Sequence, residues 1–380
     1  MNRRRFLARA CASTLLAAAP VRAAVGQATI TVAQRGGRWW LLTPDGKPFF
    51  SLGLNHIDSS PLRHVEAGDV WQKKYGNSIK RWLEEAVRRD LLDWEFNSVG
   101  WTQEVVIRGE SIHRHSPSFT LEEYQWLGLP YCHLLPFAET HQWDNEVRLP
   151  DFLSRDFEDW CDYVARSQCS RFADDPKLIG YFYTDCPVWV HTSRGNKWKG
   201  PLFDPQKLEA EAGRAELRKL ATRYYQVTHA AIRRYDPHHL ILGDRYEANA
   251  PLPAEVIESA LPYVDVLCFQ DFKDPLTHLA HWHRQTGKPV LWADGAKNVP
   301  DTDPVTGKQI VRNGGQWYAE VLAGLRDNPG CVGAHLCGAY LRNRARNRGL
   351  RDELERPDDE NVAVIKEAHR EMTQWAKKFQ

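Results

Sequence analysis

At 380 residues the chain is long enough for two average domains or for one large α/β barrel. A hydrophobic content of 42% supports a substantial core. The net charge of +1 excludes a global basic field for nucleic acid or for an acidic membrane surface.

Residues 1–24 read as a twin-arginine signal peptide. Asn2-Arg3-Arg4-Arg5-Phe6-Leu7 is followed by an apolar stretch from Ala8 to Pro20, then by the small-residue run Val21-Arg22-Ala23-Ala24. The apolar stretch is too short for a permanent bilayer span, so no stable membrane anchor is expected after cleavage. Periplasmic or secreted localisation by the twin-arginine route follows as an expectation. Of eight Cys, seven lie beyond this segment, an odd number that argues against a full disulfide framework. No CxxC pair occurs, and no metal or cofactor is expected. Cys132, Cys186, Cys268 and Cys337 fall near predicted strand ends, where buried cysteine acts as a small hydrophobe.

Residues 25–380 read as one domain. Thr29–Gln34 and Trp39–Leu42, joined through Arg35-Gly36-Gly37, predict a β-hairpin that closes a barrel floor. Eight short apolar runs follow, near residues 48–56, 97–101, 130–137, 178–182, 239–243, 264–269, 289–293 and 332–336. Helical patterns separate them. One runs from Ser78 to Trp94, with Ile79, Trp82, Leu83, Ala86, Val87 and Leu91 at 3–4 spacing; the longest runs from Leu208 to Arg234. Apolar runs without alternation suit a parallel sheet buried on both faces. The fold class expected is therefore α/β, a single (β/α)8 TIM barrel with a short N-terminal β-hairpin. A doubly wound sheet lacks its Gly-rich phosphate turn here.

Barrel enzymes carry their chemistry at the C-terminal strand ends. Those ends hold Asn55-His56, Trp101, His141 and Trp143, Asp185-Cys186-Pro187 with Trp189, Arg245 and Glu247, Asp271, Trp292 with Asp294, and His335. Carboxylates flanked by aromatic rings are what glycoside hydrolysis needs. Fifteen Trp residues could supply stacking platforms or fill a large core. The run Arg342-Asn343-Arg344-Ala345-Arg346-Asn347-Arg348 reads either as a solvated loop or as the lining of an entrance for an acidic glycan.

Six segments, taken in order, resemble a known family: Phe50–His56, Phe96–Trp101, Gly180–Phe182, Leu240–Arg245, Lys288–Leu291 and Arg348–Leu350. Over residues 38 to 355 the chain resembles clan A glycoside hydrolases, nearest to the family 50 and family 42 barrels of β-agarases and β-galactosidases. The resemblance implies a carbohydrate substrate, with Asn55 and His56 as substrate-subsite residues. It also implies an acid/base Glu ending the fourth strand and a nucleophilic Glu ending the seventh. This chain departs at both places, with Asp185-Cys186 and Asp294.

The departures leave several readings. Asp185, Asp294, Asp271 and Glu247 are the catalytic candidates, with Asp185 as proton donor. Asn55, His56, Trp101, His141, Trp143, Trp189, Arg245, Trp292 and His335 are the substrate-binding candidates. A shorter Asp arm widens the gap between carboxyls, which predicts an inverting mechanism. Cys186 is expected to pack rather than react. Two further readings stand: a barrel that binds glycans without cleaving them, and a metal-dependent barrel enzyme using His56, His133, His141 and Asp294.

Overall fold

A computed structural model describes residues 29–64, 67–108, 113–138, 149–190, 203–248, 252–303, 307–343 and 346–379. The signal peptide, His141 and Trp143 lie outside the described residues.

The described chain opens with β1 (Thr31–Arg35), β2 (Arg38–Leu42) and β3 (Pro48–Phe49). Gly36 and Gly37 turn the β1–β2 hairpin at positive φ, and β3 extends it antiparallel. Then follow β4 (Ser51–Leu54), α1 (Val70–Tyr75), α2 (Ile79–Trp82), α3 (Arg88–Asp93) and β5 (Ser98–Val99). A small hairpin, β6 (Val105–Arg108) with β7 (His113–His115), leads to α4 (Leu121–Leu127), β8 (Tyr131–Leu134), α5 (Arg155–Phe172) and β9 (Leu178–Asp185). Next come α6 (Glu211–Tyr235), β10 (Leu240–Glu247), α7 (Ala254–Ala260), β11 (Leu267–Gln270), α8 (Pro275–Thr286) and β12 (Val290–Gly295). A second hairpin, β13 (Asn298–Thr302) with β14 (Gln309–Asn313), precedes α9 (Gly315–Leu325), β15 (Cys331–Leu336) and α10 (Asp359–Lys377).

β4, β5, β8, β9, β10, β11, β12 and β15 close into one parallel barrel, in chain order. This is the (β/α)8 architecture that the eight apolar runs predict. The helix expected from Ser78 to Trp94 forms, capped by the Ser78 side chain, but a π-type turn at Leu83–Val87 separates α2 from α3.

Burial on both strand faces explains why the runs do not alternate. Ile179, Phe182, Leu242, Cys268, Leu291 and Val332 pack inside the barrel. Tyr181, Tyr183, Ile241, Phe269 and Trp292 pack outward against the helices. The hairpin covers the N-terminal end, as expected. The Arg38 guanidinium donates to the carbonyls of Arg326, Leu325 and Cys331, and Cys331 opens β15. All seven described cysteines are free and buried.

Candidate active site

The site is built on one buried cation. Arg245 lies on β10, whose inward face carries Leu242, Arg245 and Glu247 after a register shift at Gly243, a residue at positive φ. Its side chain is wholly buried. Nε and Nη2 donate to Asp185 Oδ1 at 3.1 and 2.7 Å, and Nη1 donates to the Ala293 carbonyl at 3.2 Å. Nη2 also stands 3.8 Å from Asp294 Oδ2. The guanidinium carbon sits 4.1 Å from the centre of the Trp101 ring. One cation thus binds the ends of the fourth and seventh barrel strands. Arg245, expected from the sequence to contact substrate, has no exposed side chain and lies beneath the two carboxylates.

The two carboxylates are close. Their nearest oxygens can be no farther apart than 2.7 and 3.8 Å laid end to end, about 6.5 Å. Asp185 Oδ1 accepts a third N–H, from Gln270 Nε2 at 2.5 Å. The residue shift that brings Asp185 inward needs irregular backbone, and it is there: the register against β10 slips between Phe182 and Asp185, and Cys186, next in the chain, has φ of 44°, in the left-handed region. Its amide donates to the Arg245 carbonyl at 3.0 Å.

Asp294 also turns inward through irregularity. Leu291 and Ala293 face the barrel interior, so regular alternation would send Asp294 outward. Register shifts against β11 and β15 reverse it. Oδ1 then accepts from Asn55 Nδ2 at 2.6 Å. Asn55 Oδ1 in turn accepts the Trp101 amide at 2.7 Å. Burial alone would raise the Asp294 carboxyl, but Arg245 and His56 beside it hold it well below the usual carboxylate range. It is an anion at neutral pH.

His56, at φ of 62°, stands on the other flank. Nδ1 meets the Gln103 carbonyl at 2.6 Å, which fixes the proton on that nitrogen. Nε2 lies 3.0 Å from Arg346 Nη2 and 3.6 Å from Asp294 Oδ2. Burial and Arg346 oppose a charged ring, yet Cys337, Glu104 and Asp294 outweigh them and carry it up to about 9. Arg346 is the residue that sequence reading missed. Its Nε donates to Glu104 Oε1 at 2.5 Å and its Nη1 to Cys337 Sγ at 3.3 Å. The loops after β4, β5 and β15 are thereby joined at one guanidinium. The basic run is therefore no solvated loop at Arg342, Arg346 or Arg348: Arg342 pairs with Asp303 and Glu353, and the other two are turned into the mouth.

Several expected site residues lie elsewhere. Asp271 is fully buried, and its Oδ1 accepts the amides of Lys273 and Asp274 while Oδ2 meets His278 Nδ1 at 2.5 Å. Its amide donates to the Asp294 carbonyl at 2.9 Å, but its carboxylate is committed to the turn into α8. Trp292 is buried on the helix-facing side against Trp317 and Tyr318, donating to the Asp271 carbonyl. Trp189 packs among Phe152, Tyr224 and Tyr225. Neither is placed as a stacking platform. Trp101 lies over Arg245 and Phe182. His335 is buried in the layer below, with Nε2 2.9 Å from Ser51 Oγ, and burial with Arg245 pushes it down to about 3. Glu247 sits two residues beyond Arg245 on the same face, half-buried at the rim. Cys186 is buried, and burial with Asp185 and Glu247 nearby pushes its thiol well above the usual range, which suits packing rather than nucleophilic attack.

The metal reading loses one of its four residues, and His141 lies outside the described residues. His133 is buried against Phe172 and bound to Gln168 Oε1, away from the mouth. Cys337 joins His56 and Asp294, with ligand atoms within 4.8 Å of one another. Two guanidiniums, Arg346 and Arg245, already supply positive charge to those atoms, so a metal ion would meet cations at close range.

No family model matches the sequence. The fold is shared with solved glycosidases. An exo-beta-agarase aligns with a TM-score of 0.70 at 17% identity, covering 92% of this chain and 65% of that one. The agarase AgWH50C aligns with a TM-score of 0.69 at 16% identity, covering 93% and 64%. A GH2 beta-galacturonidase from Eisenbergiella tayi aligns with a TM-score of 0.51 at 15% identity, covering 90% and 54%. In sequence, Beta-agarase B of Vibrio sp. (strain JT0107) is 25% identical over 125 residues, 31% of this chain and 13% of that protein. The chain thus spans just under two thirds of those agarase structures and a small part of that curated relative.

Proposed function

We propose that the protein is a glycoside hydrolase acting on a poly- or oligosaccharide, with Asp294 as nucleophile. The observation that carries this reading is the pair of carboxylates gathered on Arg245 at the mouth of a barrel shaped like those of agarases. Asp294 is anionic, oriented by Asn55 and close to His56. Its oxygen attacks the anomeric carbon, and the bond from that carbon to the leaving oxygen breaks. Asp185 is arranged as an acceptor of three N–H groups, so the proton donor is assigned to Glu247 rather than to Asp185. Glu247 protonates the leaving oxygen, then takes a proton from the water that opens the glycosyl ester. Attack by the Asp294 carboxylate followed by hydrolysis of the glycosyl ester gives net retention, in place of the inversion expected from the shorter Asp arm.

The test is turnover of an oligosaccharide panel that includes agarose fragments, with the first-formed anomer read by proton NMR. Net inversion, or unchanged turnover in Asp294→Asn, sinks the mechanism. Glu247→Gln should lose turnover on natural leaving groups and keep it on activated aryl glycosides.

A second reading, glycan binding without cleavage, is favoured by one observation: Asp185 is engaged by Arg245 and Gln270 as an acceptor, as a structural ion pair would be. Binding with no turnover on any panel member supports it. Export by the twin-arginine route belongs to the same proposal, and cell fractionation of the full chain tests it.

A further inference from the structure

Charges buried around the barrel mouth sort into pairs. Arg245 is held by Asp185 and Asp294, Arg346 by Glu104, and Arg342 by Asp303 and Glu353. Arg348 is the exception. It is 6% exposed, yet among the described residues no carboxylate lies within ion-pair distance of it. One terminal nitrogen donates to the Asn298 side-chain amide, the other lies 3.1 Å from Cys337 Sγ, and Nε meets no acceptor among the described residues. A buried cation without a counter-ion is costly. Such a group is stable where an anion arrives with a ligand.

The position of Arg348 says where that anion sits. Cys337 Sγ is also contacted by Arg346 Nη1 at 3.3 Å, so two guanidiniums meet one sulfur. The same sulfur lies within 4.8 Å of the ligand atoms of Asp294 and His56. Laid end to end with the 3.1 Å contact, this puts Arg348 Nη2 within about 8 Å of an Asp294 oxygen. That is the reach of one sugar ring whose anomeric carbon is in contact with Asp294 and whose exocyclic substituent points at the arginines.

We propose that the subsite at Asp294 takes a sugar bearing an exocyclic carboxylate, a hexuronic acid residue, read by Arg348 and Arg346. The planar fork of a guanidinium matches a planar carboxylate through two parallel N–H bonds, which a neutral hydroxymethyl group cannot make. The inference rests on the glycan-directed reading above, not on cleavage.

The test compares galacturonic acid with galactose, and galactose 6-sulfate with both, by calorimetric titration of the full chain. Galacturonic acid should bind at least tenfold tighter than galactose, with the advantage shrinking as salt rises. In Arg348→Met that preference should collapse. The same variant should melt at a higher temperature than the parent in the absence of sugar, because an uncompensated buried charge has gone. Equal binding of galactose and galacturonic acid by the parent protein overturns the inference, and this comparison needs no variant to fold. Tighter binding of the 6-sulfate than of the uronic acid also overturns it. A protein that prefers galacturonic acid but cleaves nothing keeps this inference and sinks the hydrolytic one.

Discussion

Asp185 and Asp294 lean on the same nitrogen, Arg245 Nη2, at 2.7 and 3.8 Å. Each lies at the end of a different barrel strand. The pair explains how a barrel mouth without glutamates at these two ends holds two carboxylates in one low-dielectric place. Coulomb attraction to the guanidinium offsets the repulsion between them.

Removing that cation should therefore be severe. We expect Arg245→Met to lose about 3–5 kcal/mol of stability, because it leaves Asp185 and Asp294 buried and uncompensated. Urea denaturation measures it. The double variant Arg245→Met with Asp294→Asn should recover part of the loss, and a single variant within 1 kcal/mol of the parent would contradict the shared-cation account.

Asp294→Asn should fold and lose turnover by on the order of 10³-fold or more if hydrolysis proceeds through this carboxylate. Asp271→Asn should do the reverse, keeping turnover while losing roughly 0.5–2 kcal/mol, as a turn-and-cap residue does. Steady-state kinetics and thermal melts of the two variants, side by side, separate the roles. Equal loss of turnover in both would return Asp271 to the catalytic set.

Acid should unfold the protein through its buried histidines. Burial pushes His133 and His369 down to about 4 and, with Arg245, His335 down to about 3. In the unfolded chain all three protonate below their ordinary 6.5. The unfolded state then binds more protons, so stability is present in full above 6.5 and is lost as pH falls. Asp244 opposes this: burial raises it to about 6, so the folded state binds its proton first. Over these four groups the balance is a net of two protons, roughly 2–3 kcal/mol per pH unit between about pH 6 and 4. His56, raised to about 9, is charged in both states below 6.5 and gains stability only between about pH 9 and 6.5. Denaturant midpoints at pH 6.5 and pH 5 measure the balance. A midpoint that stays level or rises at pH 5 would refute the assignment.

Gly100→Ala should damage both fold and site. A Cβ there would stand 2.0 Å from Asn55 Oδ1 and 2.6 Å from His335 Nδ1. We expect a loss of about 1–3 kcal/mol, with Asn55 displaced from Asp294. A melting temperature equal to the parent's would show that the strand end moves freely.

The sequence by itself determined the barrel. Eight apolar runs separated by helical patterns can bury both strand faces in few other ways, and β4 through β15 close in that order. It also determined that Asn55, His56, Asp185, Arg245 and Asp294 share one mouth, because strand ends of a parallel barrel all open on one side. What it could not give was direction at the last residue of a strand. Strict alternation sends Asp294 outward and fails because of register shifts that no local signal marks. Trp292 and Asp271 looked equivalent to Trp101 and Asp294 in sequence, and only helix packing and a turn separated them. Arg346 and Arg348 lay in a basic run like any solvated loop until Glu104 and His56, distant in sequence, met Arg346 and both arginines closed on Cys337. Periodicity is a local property and was legible. The pairing of buried charges is non-local, set by which loops meet after the barrel closes, and so only the tertiary structure decided it.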